Sequence, residues 1–210
     1  MVAVGIPAQV VDQGMWSIYR TGSLCFTLDH TQVPQLNTGA LGLLLPSLAQ
    51  LTRRDKFEEA VYPARVEMRP SSPPTVRIGT GVTSGDPNMP RLDDALIEIN
   101  FTDLQLDLFA SVEERFVRVA TVRLDLALGL GLYADPAGNL NFALADINQG
   151  LQNVRVENSE ILAEDPAELE AALPALVSLA LPQLTDSLPS FALPDASELG
   201  GFTLDVLGAR

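Results

Sequence analysis

This chain has only one thiol and one imidazole, the side chains of a cysteine–histidine nucleophile pair. The one cysteine, Cys25, stands five positions before the one histidine, His30. A thiol-dependent enzyme would need these two side chains together, but residues an odd number of positions apart on a strand face opposite sides. The sequence contains no nucleophile elbow, zinc signature or phosphate loop. It therefore predicts no catalytic residues, no cofactor and a protein that is not an enzyme.

Acidic side chains could supply oxygen ligands in two places. The segments Asp86-Pro87-Asn88 and Arg91-Leu92-Asp93-Asp94 carry such oxygens, but they lack the loop pattern of a calcium-binding EF-hand. We interpret them as a solvated loop and predict no metal site. A second acidic group lies at the start of the last predicted helix, where it favours the helix dipole and is interpreted as structural. Its members are Glu157, Glu160, Glu164, Asp165, Glu168 and Glu170.

Composition excludes several classes of partner. Acidic residues outnumber basic ones by 27 to 13, which gives a net charge of −14. This charge repels phosphate groups, so we expect no nucleic-acid partner and at most a transient, apolar contact with membranes. Hydrophobic residues make up 47% of the chain, enough for a continuous core. No run is long enough to span a membrane, and the first residues do not resemble a signal peptide.

The first part of the chain predicts two short helices and one strand. Residues 10–20 have helical periodicity, residues 23–29 alternate like a half-buried strand, and residues 38–51 are apolar enough for a second helix. Gly42 and Pro46 should make this second helix short or kinked. The apolar face of the first helix consists of Val11, Met15 and Ile18.

The middle of the chain predicts strands. Residues 62–69 and 75–79 are separated by the break PSSPP, and they form either a hairpin or a bent ribbon. Residues 95–110 and 116–133 predict two long strands whose apolar positions change parity once. A β-bulge at Thr102-Asp103 would keep the apolar residues of the first strand on one face. Long, bulged, one-face-apolar strands favour a curled antiparallel sheet.

The last part of the chain predicts a helix that packs on this sheet. An antiparallel return strand is expected over 140–156, and Asp165-Pro166 is a good helix start. The helix that follows is apolar on most sides, which indicates burial, and Pro174 and Pro182 should bend it. A final strand over 202–207 should join the sheet. We expect the helix to lie inside the curl of the sheet.

The order of these elements resembles the lipid-binding barrels of the bactericidal/permeability-increasing protein family, in the tubular lipid-binding (TULIP) superfamily. The second, C-terminal barrel of that family is the closer likeness. The segments that carry the resemblance are MWSIYRTGSLCFTLD, LLLPSLAQL, VEMRPSSPPTVRIGTG with its Ser/Pro break, and LPALVSLALPQLTDSLPSFALPDASELGGFTLDVL with its Phe-x-Leu-Pro hinge. Their order, more than any single motif, supports the resemblance, which extends from Val10 to Leu207.

The resemblance implies an α+β fold: an elongated, highly twisted antiparallel sheet wrapped around a long C-terminal helix, with shorter N-terminal helices. Residues 1–210 would form a single barrel-like domain, either half of a larger two-barrel protein or a homodimer partner through a sheet edge. It implies a non-enzymatic carrier of phospholipid or fatty acid, secreted or in a bacterial cell envelope. Endotoxin binding is not carried over, because the basic first barrel of that family has no counterpart in this acidic chain.

A lipid channel is therefore predicted between the sheet and the last helix. Its predicted lining is Val11, Met15, Ile18, Ile97, Ile99, Phe101, Leu124, Leu126, Leu128, Phe142, Leu144, Leu173, Leu176, Val177, Ala180 and Leu184. Taken singly, each of these residues is better explained as ordinary core, and only the set as a whole favours a channel. For the whole domain, the alternative is an interaction or scaffold domain that kept the fold and filled its channel with side chains.

Overall fold

The computed structural model describes residues 8–43, 45–52, 61–86, 89–134, 139–174 and 191–192. Helices and an antiparallel sheet make the fold α+β, as predicted. The helices are α1 (Ala8–Arg20), α2 (Thr38–Leu41), α3 (Pro46–Thr52), α4 (Ile147–Gly150) and α5, described over 166–174. The strands are β1 (Phe26–Asp29), β2 (Ala64–Pro70), β3 (Thr75–Ile78), β4 (Thr83–Asp86), β5 (Met89–Leu92), β6 (Ile97–Val112), β7 (Arg115–Ala134), β8 (Asn139–Leu144), β9 (Leu151–Glu157) and β10 (Phe191–Ala192).

The main sheet has the order β1-β2-β6-β7-β8-β10, with β3 attached to β6 and β9 attached to β7. Its described strand pairs are antiparallel. The pairing of Pro70 with Leu104 and of Thr75 with Asn100 places β2 and β3 one after the other along β6. The bent ribbon is therefore the correct prediction and the hairpin is wrong.

Both predicted register shifts in the long strands are confirmed. Thr102 and Asp103 of β6 together lie opposite Asp125 of β7, and Asp103 has a φ of 54°. In β7, Val119 is the extra residue of the second shift. These bulges allow each strand to keep its apolar side chains on one face in spite of the change in parity.

A third bulge, in β9, was not predicted. Asn153 and Val154 together lie opposite Leu124 of β7, and Asn153 has a φ of 51°. Interruptions therefore cross the sheet at one level, which we call the bulge line: residues 71–74, 102–103 and 153–154. Because bulges bend strands and increase their twist, the sheet is strongly curled.

The register gives the sheet an apolar inner face and a polar outer face, since paired residues project to the same side. The inner face carries Ile97, Ile99, Phe101, Leu104, Leu106 and Leu108 of β6 and Val122, Leu124, Leu126, Leu128, Leu130 and Leu132 of β7. The outer face carries Glu98, Asn100, Gln105 and Asp107 of β6 and Thr121, Arg123 and Asp125 of β7.

A buried carboxylate holds β6 and β7 together on the outer face. Asp107 is 1% exposed and accepts a hydrogen bond of 2.6 Å from the hydroxyl of Thr121. The guanidinium nitrogens of Arg69 and Arg118 lie 3.7 and 3.8 Å from its oxygens. The charge is thus compensated, as a buried carboxylate requires.

Another part of the outer face is covered by the β4–β5 hairpin. The interpretation as a solvated loop is therefore wrong for Asp86, Arg91 and Leu92, which lie in these strands, whereas Asp93 and Asp94 follow β5 outside any strand. Leu92 of β5 is buried and lies over Gly131 of β7, where an added Cβ would come within 2.4 Å of Leu92 Cδ1. Asp93 instead pairs with Arg91 at 3.0 Å. The hairpin forms because Leu92 gains a buried site against a strand that has no side chain there.

The first helix, α1, lies along the edge of β3. The backbone N–H of Val76 donates a hydrogen bond of 3.2 Å to Asp12, and the Tyr19 hydroxyl donates one of 3.2 Å to the carbonyl oxygen of Ser71. The helix ends before Gly22, which has a φ of 74°, as the sequence predicted. The helix therefore protects a strand edge that has no β neighbour among the described residues.

The predicted second helix is two helices, because the chain turns after α2 and begins again at Pro46. Proline is well suited to a first helical position. The side chain of Asn37 caps α2 by accepting a hydrogen bond of 2.9 Å from the Ala40 backbone N–H. Buried leucines of α2 and α3, Leu41 and Leu48, pack at one end of the inner face.

The start of α5 is capped as predicted. The Asp165 carboxylate accepts a hydrogen bond of 2.9 Å from the Ala167 N–H, and Glu168 accepts one of 3.3 Å from the Asp165 N–H. The predicted continuation of this helix through Pro182 and the final strand over 202–207 lie outside the described residues. Among those described, no helix is long and apolar enough to cross a bilayer. The predicted hinge contains β10, which pairs with β8.

Candidate ligand-binding face

Helix α5 meets the inner face of the sheet at the bulge line. Leu173 is 6% exposed and forms one hydrophobic cluster with Phe101, Leu104 and Leu124. At this level the helix and the sheet are in direct contact. Six of the predicted lining residues belong to this cluster or pack against it: Ile99, Phe101, Leu124, Leu126, Leu128 and Leu173.

Burial differs between the two ends of the inner face. At the α3 end, Leu48, Ala110 and Val119 are completely buried, and they form one cluster with the buried Leu162 and Leu169 from the chain around the start of α5. Beyond the bulge line the inner-face apolar side chains of β6, β7 and β8, apart from Phe101, are only half-buried. They are Ile97, Ile99, Leu126, Leu128, Leu130, Leu132, Phe142 and Leu144. The fully buried positions are thus concentrated towards the α3 end, although Leu106, Leu108 and Val122 there are half-buried, and the other end presents partly accessible hydrocarbon.

The remaining predicted lining residues fall into three groups. Ile97, Phe142 and Leu144 lie on the inner face by register but outside the two buried clusters. Helix α1 has no buried residue, so Val11 and Met15 are half-buried beside β3, and Ile18 is 42% exposed. The third group, Leu176, Val177, Ala180 and Leu184, lies outside the described residues.

Sequence reasoning missed two inner-face residues of β9. Leu151 and Val154 pack against the cluster that contains Leu173. Their spacing of three residues spans the β9 bulge, so a search for alternation does not find them. The asparagine at position 153 was the available signal, since asparagine tolerates the left-handed backbone of a bulge better than most residues.

On the outer face, opposite this cluster, five polar residues form a network that we call the polar clamp: Asp103, Arg123, Asp125, Asn153 and Arg155. Asp125 accepts hydrogen bonds from the Asp103 backbone N–H at 2.8 Å and from Asn153 Nδ2 at 2.6 Å. The Asp103 carboxylate accepts from Arg123 at 2.8 Å and from Arg155 at 3.2 Å. The clamp therefore joins β6, β7 and β9 across the bulge line.

Hydrogen bonding keeps the clamp charged. The bond from the Asp103 backbone N–H, followed by that from Asn153, lowers the pKa of Asp125. The hydrogen bond to Asp103 raises the pKa of Arg123. Both groups are thus ionised at neutral pH, and charge-assisted hydrogen bonds are stronger than neutral ones.

Two other carboxylates, Asp94 and Glu98, lie near the half-buried end of the sheet and are hydrogen-bonded or ion-paired to protein groups. Asp94 accepts hydrogen bonds from the Thr80 N–H at 2.7 Å and from its hydroxyl at 2.6 Å, which lowers the pKa of Asp94. It also pairs with Arg77, which in turn binds Glu98. Among the described residues, no group of histidine, cysteine and acidic side chains could hold a metal ion.

Comparison with solved structures gives a structural likeness. No protein-family model matches the chain, and no curated protein matches it. It is similar to a crystal structure of lipopolysaccharide binding protein, with 13% sequence identity and a TM-score of 0.45 over 83% of this chain. The match covers 35% of that protein, so this chain spans only about a third of its length. A likeness of this size carries no functional assignment, and the function is inferred from the residues of this chain.

Proposed function

We propose that this chain is a non-enzymatic lipid-binding protein that holds acyl chains of phospholipid or fatty acid against the inner face of its curled sheet. The burial gradient along that face is the observation that carries the proposal. Leu104 is 0% exposed, whereas Leu126 and Leu128 remain half-buried. A concave face of apolar side chains that is only partly filled favours a hydrocarbon ligand.

The energetics suit a protein of this charge. Burying a C16 chain contributes roughly 10–12 kcal/mol before ordering costs, at about 0.8 kcal/mol per methylene group. No cationic headgroup site is needed for that contribution. This agrees with a net charge of −14 and with an inner face whose described positions on β6 and β7 are apolar.

The proposal includes a tubular arrangement of the whole chain as a single domain over residues 1–210. Helix α5 would continue along the inner face, and Leu176, Val177, Ala180 and Leu184 would complete the channel with Ile97, Phe142 and Leu144 of the sheet. Val11, Met15 and Ile18 of α1 would border the channel from the edge of β3.

Three strand edges are candidates for assembly. Among the described residues, β1 pairs only with β2, β9 only with β7 and β10 only with β8. Because an open edge can pair with another strand, we propose that a second barrel or a second copy of this chain adds to one of them. Sedimentation of the purified chain would show a dimer if a second copy binds.

A second candidate function is favoured by the packing at Leu173. There Leu173 of the helix packs in one buried cluster with Phe101 and Leu124. If the same packing continues along α5, the chain would be a scaffold or interaction domain with a filled interior.

Lipid extraction separates the two candidates. Native mass spectrometry and organic extraction of the purified protein should reveal bound lipid, and a fluorescent C16 fatty acid should be taken up. Repeated absence of lipid together with no uptake would contradict lipid binding and favour the scaffold.

A matched pair of variants tests the proposed face. Leu126→Trp fills apolar space on the half-buried face, and excluding about two methylene groups of the ligand from that face weakens binding about tenfold. Thr75→Trp places the same side chain at an exposed position of β3 and should leave uptake unchanged. Unchanged uptake by a folded Leu126→Trp protein would mean that the ligand lies elsewhere.

A further inference from the structure

The bulges in β6 and β9 flank the same two residues of β7. Thr102 and Asp103 lie opposite Asp125 on one side, and Asn153 and Val154 lie opposite Leu124 on the other. Both bulges contain a non-glycine residue with a left-handed backbone, with φ of 54° at Asp103 and 51° at Asn153. Such conformations persist only where surrounding contacts hold them.

One carboxylate supplies contacts to both bulges. Asp125 accepts the backbone N–H of Asp103 with one oxygen, at 2.8 Å, and Nδ2 of Asn153 with the other, at 2.6 Å. A residue that bonds to both neighbouring strands links the conformation of one bulge to that of the other.

The side chain that precedes the carboxylate points to the opposite face of the sheet. Leu124 belongs to the inner-face cluster with Leu173, and Leu151 and Val154 of β9 pack against that cluster. Leu126 of β7 pairs with Leu151 of β9. The position of β9 relative to β7 therefore sets how wide the apolar inner face is next to Leu126.

We propose that Asp125 is a positioning residue that, from the outer face, couples the two bulges and so sets which acyl ligands fit the inner face. This inference rests on the proposed lipid-binding function for its ligand, but the coupling of the bulges stands on the contacts alone. When Asn153 no longer bonds to Asp125, β9 moves away from Leu126, and the interior becomes wider.

The hydrogen-bond chemistry provides a charge-conserving test. Asp125→Asn retains an acceptor for the Asp103 N–H but turns an amide donor towards the Asn153 donor. The swap Asp125→Asn with Asn153→Asp exchanges donor and acceptor and keeps the wild-type net charge. Asp93→Asn, at an exposed position directly after β5, removes a carboxylate elsewhere and is the charge control.

Two readouts are measured on the full chain. One is hydrogen exchange of the amides of residues 151–157 without lipid; the other is the Kd for a fluorescent single-chain C16 fatty acid and for a fluorescent two-chain phospholipid. Asp125→Asn should speed exchange in β9 and shift the ratio of the two Kd values by about fivefold towards the two-chain probe. The swap should restore both, and Asp93→Asn should change neither.

Two results would overturn the inference. One is a folded Asp125→Asn protein with wild-type β9 exchange and an unchanged ratio of the two Kd values; the other is a swap that restores neither the exchange nor the ratio. If Asp125→Asn does not fold, Asn153→Gly deletes the donor while glycine accepts the left-handed backbone, and it should speed β9 exchange in the same way. Wild-type protein that binds neither probe would refute the lipid function and the role in ligand choice. The exchange data would still decide whether Asp125 couples the bulges.

Discussion

The carboxylate of Glu164 accepts a hydrogen bond of 2.8 Å from the backbone N–H of Ser47, a residue 117 positions earlier in the chain. The Ser47 hydroxyl donates to the other carboxylate oxygen and accepts the Ala163 N–H at 3.1 Å. Ser47 is 8% exposed and lies at the start of α3. This contact fastens the segment that leads into α5 to the helix that closes one end of the inner face.

Replacing this carboxylate should destabilise the fold. In Glu164→Gln, the amide cannot accept from both Ser47 donors, so we expect the free energy of unfolding to fall by about 1–3 kcal/mol in urea denaturation. Glu160→Gln makes the same change at an exposed position and should cost less than about 0.5 kcal/mol. Equal losses in the two variants would contradict the structural role of the contact.

The same carboxylate predicts a loss of stability in acid. Burial raises the pKa of Glu164, but the hydrogen bonds from Ser47 outweigh it and hold the pKa below the ordinary value of 4.5. The folded protein then binds fewer protons at this site than the unfolded chain does. The Glu164 carboxylate therefore stabilises the fold at pH values above its pKa in the unfolded chain. This stabilisation is lost as the pH falls through its pKa in the folded protein. Between about pH 5 and about pH 3, wild-type stability should fall more steeply than that of Glu164→Gln, and parallel urea curves would refute this.

The turn between β6 and β7 contains two residues whose replacement should stabilise the fold. Val112 pairs with Arg115, so Glu113 and Glu114 form a two-residue turn, and their φ angles are 48° and 66°. Left-handed backbone costs an ordinary residue about 1–2 kcal/mol, whereas Asn-Gly favours such turns. Replacing the pair with Asn-Gly should raise the free energy of unfolding by about 1–2 kcal/mol. A lower denaturation midpoint would show that the glutamates make contacts that matter more.

Two glycines should respond to alanine in opposite directions. A Cβ at Gly150 would come within 2.2 Å of the Ala127 carbonyl oxygen, so the backbone of α4 or β7 must move. Gly150→Ala should therefore cost about 1–3 kcal/mol in chemical denaturation. Gly14 in α1 has nothing within 4 Å of an added Cβ, and Gly14→Ala should add about 0.5–1 kcal/mol. Loss of stability in both variants would contradict the packing around α4.

The sequence predicted the long strands β6 and β7 and their bulges. Within each strand, apolar and polar residues alternate, and the apolar positions change once from odd to even numbers. The shift at Thr102-Asp103 follows from apolar residues that must stay on one face. The β9 bulge could not be found in this way, because Leu151 and Val154 are three positions apart. Their side chains lie on the inner face because β9 pairs with β7 and both residues pack against the cluster there. The β4–β5 hairpin was missed because Leu92 packs over a glycine that is distant in sequence, Gly131.

The candidate site was predictable to the extent that it follows strand alternation. Ile99, Phe101, Leu124, Leu126 and Leu128 were expected on one face, and the structure brings them together with Leu173. Whether a half-buried leucine contacts lipid or ordinary core depends on how closely α5 approaches the sheet. That distance is a property of tertiary packing, for which the sequence has no local signal.

The tight turn between β6 and β7 also has a consequence during synthesis on the ribosome. The longest strand of the described chain, β7 with 20 residues, pairs with its immediate predecessor and can do so within microseconds of emergence. Leu162, Leu169 and Leu173 emerge only afterwards, so Leu104 and Leu124 of the newborn hairpin face water until α5 arrives. A nascent chain halted before residue 160 would therefore expose a row of leucine side chains, an apolar surface of the kind that chaperones bind.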